Sequence, residues 1–118
     1  MKTLVLGAST NPERYAYKAI EKLTAYKHEL LALGFRPGEV LGHTIETEKQ
    51  AWEGIDTVTL YLGPARQEAY FDYVISLRPR RVLFNPGTEN PAFESLLQAN
   101  GIHAERACTL VLLATNQY

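Results

Sequence analysis

Cysteine is almost missing from this sequence: Cys108 stands alone among 118 residues. A single thiol excludes a disulfide framework and any cysteine-rich zinc site. Histidine is scarce too. His28, His43 and His103 lie far apart, without the spacing of a metal-ligand cluster. An excess of positive charge is also lacking. Twelve Lys and Arg face 13 Asp and Glu, for a formal net charge of −1. A general nucleic-acid binder needs a basic face, so nucleic acid is not expected as a partner. No apolar run approaches the ~18–20 residues of a membrane span. Nothing before the first apolar segment has the layout of a signal peptide. These absences point to a soluble, cytoplasmic protein. At roughly 100–200 residues per domain, residues 1–118 form a single domain. Two-domain dehydrogenases, kinases and ligases do not fit in that length.

What the sequence does contain is 46% hydrophobic residues arranged in short, punctuated runs. Lys-Thr-Leu-Val-Leu at 2–6 is a strand buried on both faces, stopped by Gly7. Residues 13–27 carry Tyr15, Ala16, Ala19, Ile20 and Leu23 at helical spacing, one buried stripe. Residues 28–33 read as a second strand, ended by Gly34, Pro37 and Gly38. Residues 44–53 read as a short helix stopped by Gly54. Residues 57–62, Thr-Val-Thr-Leu-Tyr-Leu, are the clearest strand. Residues 65–77 follow as a helix with Ala69, Tyr70, Tyr73, Val74 and Leu77 on one face and Phe71 off it. A strand at 81–84, a helix at 91–100 and a strand at 102–105 complete the series, and 109–113 is an unassigned apolar tail. Strand and helix alternate, which implies a five-stranded parallel sheet with helices on both faces, an α/β Rossmann-like three-layer sandwich.

In such a sheet all strand C-terminal ends share one edge, and that edge carries the ligand. Four Gly- or Pro-rich breaks fall there: Gly7-Ala8-Ser9, Gly34 with Arg36-Pro37-Gly38, Gly63-Pro64, and Asn85-Pro86-Gly87. Strand ends attract Gly and Pro anyway, but the opposite edge is punctuated differently, by Lys27-His28, Ile55-Asp56 and Arg78-Pro79-Arg80. The first loop precedes a helix whose free N–H groups suit a phosphate. Ser9 and Thr10 add hydroxyls, and Arg14 and Lys18 are either anion ligands or a solvated helix face. The loop is not Gly-x-Gly-x-x-Gly, since only its first glycine is present. The acidic residue that holds a ribose diol after the second strand is missing, and Arg36 stands nearby instead. That disfavours NAD and permits NADP or a 3′-phosphorylated nucleotide.

The run Gly7-Ala8-Ser9-Thr10-Asn11-Pro12-Glu13-Arg14-Tyr15-Ala16-Tyr17 resembles the opening of the small stand-alone CoA-binding domain proteins. These are similar to the N-terminal domain of the succinyl-CoA ligase alpha subunit. Leu41-Gly42, Gly63-Pro64, Asn85-Pro86-Gly87, Ala99-Asn100-Gly101-Ile102 and Ala107-Cys108-Thr109-Leu110 extend the resemblance in order along the chain. It departs at Leu33-Gly34-Phe35, where the family has Val-Asn-Pro. The resemblance implies a site for coenzyme A or a related nucleotide. Gly7, Ala8, Ser9, Asn11, Arg14 and Tyr15 would form its phosphate and pantetheine side, with Arg36 near the nucleotide phosphates. Leu62, Gly63 and Pro64 would flank the adenosine, and Asn85, Pro86 and Gly87 would line the other wall.

Catalytic machinery is not evident. His28 and His103 belong to the far edge, and His43 has no partner to orient it as a base. Cys108 among apolar residues reads as core, the alternative being a thiol that forms a mixed disulfide with CoA. The run Arg78-Pro79-Arg80-Arg81 reads as a solvated loop. The expected function is binding of a small nucleotide ligand without catalysis or metal. The alternatives are a small NADP- or acyl-CoA-dependent enzyme and an interaction domain with degenerate ligand binding. Assembly as a homo-oligomer or with a partner enzyme stays open.

Overall fold

The computed structural model describes residues 2–118. Seven strands form one sheet: β1 (Lys2–Leu6), β2 (Glu29–Leu33), β3 (Gly38–Val40), β4 (His43–Glu46), β5 (Thr57–Leu60), β6 (Arg81–Phe84) and β7 (His103–Arg106). Their order is β3-β4-β2-β1-β5-β6-β7, parallel throughout except for the antiparallel β3–β4 hairpin at one edge. All five expected parallel strands are present. The sheet has two more, and the sandwich is otherwise as the alternation predicts.

The extra strands replace the helix expected at 44–53. Leu41 and Gly42 both have positive φ, 50° and 83°. That backbone closes a two-residue hairpin whose twist matches the flanking strands. β4 then pairs Ile45 with Ala32 and Glu46 with Leu33, which extends the sheet beyond β2 and buries Ile45. Long-range pairing thus overrides local propensity. The chain from 47 to 56 is irregular, and Trp52 packs half-buried against the core.

Five helices cover the sheet: α1 (Tyr15–Ala25), α2 (Pro64–Gln67), α3 (Phe71–Leu77), α4 (Pro91–Ala99) and α5 (Thr109–Ala114). Two separate cores sit on the two faces. Leu4, Leu6, Val58, Leu60, Val82 and Phe84 pack with Val74 of α3 and with Phe93 and Leu97 of α4. Val5, Leu30, Ala32 and Ile45 pack with Ala16, Ile20 and Leu23 of α1 and with Leu113 of α5. The apolar tail at 109–113 is therefore a helix beside α1.

The single helix expected at 65–77 is broken. A 3-10 turn at Glu68–Tyr70 separates α2 from α3. Its tighter winding changes the helical phase. Ala69 is left exposed, while Phe71 turns inward and stacks on Phe93 with ring centroids 4.3 Å apart.

The far edge also differs from expectation. Arg80 pairs with Asp56, Nε to Oδ1 at 3.0 Å. Arg81 is buried: its Nε donates to Thr57 Oγ1 at 3.0 Å and its guanidinium lies 4.8 Å from the Tyr118 ring centre. Its Nη2 is buried without a hydrogen-bond partner among the described residues. The basic run is thus part pair, part interior. No helix among the described residues is long and apolar enough to cross a membrane.

Candidate functional site

The chain runs from β1 to β2 and β4 on one side, then returns past β1 to β5 on the other. The crevice outside the ends of β1 and β5 is therefore the switch point of the sheet. Glycine lets three strand ends close up there. Gly7 has φ +99°, and a Cβ on it would come within 3.0 Å of the Tyr61 carbonyl carbon. The N–H groups of Gly7 and Ala8 both donate to the Leu33 carbonyl, at 2.8 and 3.0 Å. A Cβ at Gly34 would lie 2.4 Å from the Ala8 carbonyl oxygen. At Gly34, where the chain departs from Val-Asn-Pro, the β1–α1 loop thus lies directly on the end of β2.

The same loop is shaped by its own side chains. Ser9 Oγ accepts from the Asn11 N–H at 3.1 Å, and Asn11 Oδ1 accepts from the Glu13 N–H at 3.0 Å. Helix α1 then starts with no side-chain cap and no acidic residue in its first turn. α4 differs. Asn90 caps it through Phe93 N, and Glu94 Oε2 accepts from Asn90 N at 3.0 Å. α1 thus keeps its terminal N–H groups and partial positive charge directed at the crevice.

A cavity of about 1070 Å³ opens at this point, just above the ~300–1,000 Å³ typical of small-molecule sites. Of the residues singled out from sequence, Gly7, Ala8, Ser9, Asn11, Arg14, Tyr15, Arg36, Leu62, Gly63, Asn85, Pro86 and Gly87 line it. Pro64 does not; it opens α2 at the first helical position. Tyr15 is 66% exposed, so it belongs to the cavity rim and not to the buried stripe of α1. Lys18 is outside the lining, with its Nζ 5.2 Å from the Tyr15 ring centre. His43 lies apart, in a separate 270 Å³ hollow with Trp52, its Nε2 3.1 Å from Thr24 Oγ1.

Two buried amides hold the walls. Asn85 is 3% exposed. Its Nδ2 donates to Thr59 Oγ1 at 2.7 Å and to the Leu60 carbonyl at 2.9 Å, and its Oδ1 accepts from Thr109 N at 2.8 Å. That amide ties β5, β6 and the start of α5 together and has no donor left for a ligand. Gln67, fully buried, donates to the Leu62 and Thr88 carbonyls at 2.9 and 2.7 Å and accepts from Asn90 Nδ2 at 3.1 Å.

The charge in the cavity is lopsided. Arg14, Arg36 and Arg66 line it, against Glu13 as the one carboxylate. None of the three arginines is among the ion pairs of the described residues. Arg66 instead lies 5.0 Å from the centre of the Phe35 ring, which is 52% exposed and also lines the cavity. Tyr61 lines it as well, and burial pushes its phenol up to about 12, so it stays a hydrogen-bond donor at neutral pH.

Sequence reasoning missed Phe35, Tyr61, Arg66, Thr88 and Leu110 as lining residues, and held Cys108 there only as the alternative to a core position. Cys108 was expected in the core. It is half-buried at the cavity wall, at the residue that precedes α5. Arg66 and Phe35 had a usable signal, since each lies in or beside one of the four breaks. Cys108 and Leu110 had only the family-like run Ala107-Cys108-Thr109-Leu110, because the tail that carries them had no assigned structure.

Residues 1–114 match the family described as the CoA binding domain. The chain belongs to that family. The CoA-binding domain fold recurs in solved structures. A crystal structure of an uncharacterized protein is 49% identical, covers 99% of this chain and 97% of its own, and superposes with a TM-score of 0.97. A Thermus thermophilus protein is 22% identical over 99% of this chain and 90% of its own, with a TM-score of 0.87. An acetyl-coenzyme A synthetase from Candidatus Korarchaeum cryptofilum is 14% identical, with a TM-score of 0.72 over 87% of this chain and 25% of the synthetase. None of the curated proteins matches it.

Proposed function

We propose that this protein binds coenzyme A, or a closely related nucleotide, in the cavity at the ends of β1 and β5. The observation that carries the reading is the set of three arginines, none in an ion pair, that converges there with the uncapped α1 N-terminus. Cations left without partners in a crevice favour an anionic occupant. In the loop 7–11 the N–H groups of Gly7, Ala8 and Asn11 are engaged inside the protein, which leaves those of Ser9 and Thr10, with the α1 terminus, for a diphosphate. Pro86, Gly87 and Leu110 give the remaining wall a largely uncharged character suited to a pantetheine arm. Family membership supports the same ligand. Binding without turnover is the reading for the isolated chain. No histidine is among the described residues that line the cavity.

Thermal denaturation and calorimetry with coenzyme A test this directly. Ligand at 100 times its Kd stabilises the fold by about 2.7 kcal/mol. Arg14→Ala is expected to weaken binding by roughly tenfold or more, as loss of a charge-assisted contact does. No stabilisation by coenzyme A, acetyl-CoA, NADP or NAD at millimolar concentration would overturn the reading.

A further inference from the structure

Helix α5 has six residues, well short of the ~12–15 at which a helix is even marginal by itself in water, so its attachments decide whether it holds. Its start is tied by Asn85, whose Oδ1 accepts from Thr109 N at 2.8 Å. Its end closes in a turn with Asn116 at φ +58°. There Gln117 N donates to the Leu112 carbonyl at 2.7 Å and Asn116 N to the Leu113 carbonyl at 3.2 Å. The turn delivers Tyr118 to the far edge of the sheet, opposite the cavity. The Tyr118 hydroxyl shares a hydrogen bond with Thr3 Oγ1 of β1. Its ring centre lies 5.0 Å from that of His28, nearly edge-on, and 4.8 Å from the Arg81 guanidinium. Arg81 is 6% exposed, so the Tyr118 ring helps to keep water from a buried cation.

We propose that Tyr118, His28 and Arg81 form a proton-sensitive latch: with His28 neutral the Tyr118 ring closes against Arg81 and fastens the end of α5, and with His28 protonated it lets go. The closed arrangement carries its own opposing term. Arg81 Nη2 is buried with no hydrogen-bond partner among the described residues, and opening lets water reach it. His28 is half-buried. Burial first, then the positive charges of the amino terminus and Arg81, holds its imidazole below the usual histidine range. The other charges nearby do not offset a proton there. Lys27 precedes His28 in the chain, and Glu29 after it pairs with Lys2 at 3.8 Å. Asp56 is engaged by Arg80 at 3.0 Å and by the Thr57 hydroxyl at 2.7 Å. A protonated His28 would thus bring a second cation to a ring that already holds one. Opening returns the imidazole to water and to its ordinary value of about 6.5. Opening therefore takes up a proton, and it grows as pH falls through about 6.5. Cys108 and Leu110, at the start of α5, line the cavity, so release of the latch loosens that wall. The latch operates whatever ligand the cavity takes.

NMR and hydrogen exchange on the full chain without ligand test this between pH 5 and 7.5, a window in which histidine is the side chain that ordinarily titrates. The His28 ring is expected to titrate below about 6.5. Exchange of the Thr115, Asn116 and Gln117 amides, corrected for the intrinsic rate, is expected to rise at least about threefold from pH 7.5 to 5. The ceiling is about thirtyfold, the value for a closed state that binds no proton at all. His28→Phe keeps an aromatic ring against Tyr118 and cannot take a proton, so its exchange should stay within about twofold across the window. Tyr118→Ala should exchange fast at every pH and return His28 to about 6.5. Protected amides in β1 and β5 check that each variant keeps its fold. Flat exchange in the parent protein overturns the proposal. So does the same rise in His28→Phe, which would assign the effect to another group. An unchanged His28 titration in Tyr118→Ala overturns it as well.

Discussion

Replacing Asn85 by alanine removes a buried amide that makes three hydrogen bonds, at 2.7, 2.9 and 2.8 Å. Each bond contributes about 1 kcal/mol net, so the direct loss is about 3 kcal/mol. Thr109 is fully buried, and its N–H would lose its acceptor. An unsatisfied buried donor adds about 1–3 kcal/mol, although a water entering the gap recovers part of that. The total is about 3–5 kcal/mol. A chain of 118 residues has an unfolding entropy of about 0.25 kcal/mol/K at its midpoint, so Tm should fall by about 12–20 °C. Circular dichroism melts give the shift, and hydrogen exchange at the Thr109 amide reports whether α5 loosens locally. Asn85→Asp separates the roles. It keeps the acceptor for Thr109 but loses both donors and aims a carboxylate at the Leu60 carbonyl. It should be at least as destabilising at neutral pH. An Asn85→Ala protein within 1 kcal/mol of the parent, with Thr109 still protected, would refute this account of the cavity wall.

Gly34→Ala should cost about 1–2 kcal/mol. A Cβ 2.4 Å from the Ala8 carbonyl oxygen forces the loop away, and the stiffer unfolded chain offsets part of that cost. Coenzyme A binding should weaken with it, and a variant of unchanged stability and affinity contradicts the close approach. Tyr61 makes stability fall in alkali. Its phenol titrates near 12 folded and near 10 unfolded, so above pH 10 only the unfolded state releases the proton. Between pH 10 and 12 it takes away up to about 2.7 kcal/mol, and Tyr61→Phe should flatten the denaturation profile there. Parallel profiles for the two proteins would exclude this. Arg81→Met should lose no more than about 1 kcal/mol, because among the described residues the buried guanidinium has a single hydrogen bond, from Nε, and an unpartnered Nη2. A loss of 3 kcal/mol or more in urea denaturation would show that the buried charge is stabilising.

Much of the fold was legible because its signals are local. β1 and β5 are short apolar runs, each followed within three residues by glycine, and helix α4 opens with Asn90-Pro91 and ends before Gly101. Such features act within a few residues, so periodicity and turn chemistry report them. The hairpin Gly38–Val40 with His43–Glu46 was not legible. Its four-residue strand is held by pairing with Ala32 and Leu33 and carries little pattern of its own. The 3-10 turn at Glu68–Tyr70 was hidden for a related reason. It changes helical phase without changing the kind of residue along the chain.

The sequence by itself determined the alternation of strand and helix, the four breaks at one sheet edge, and the opening motif Gly7 to Tyr17 that announces the family. The alternation and the breaks follow from composition and spacing along the chain, and the motif carries the resemblance to the family. Tertiary structure alone decided what the side chains do. Asn85 looked like a ligand wall and proves to spend its amide inside, while Cys108 looked like core and stands at the cavity. Arg14, Arg36 and Arg66 are 52 residues apart from first to last, yet they open on one crevice. The physical reason is the switch point. Parallel crossovers carry every loop back to the same edge, and the strand order around β1, not sequence distance, sets which side chains converge there.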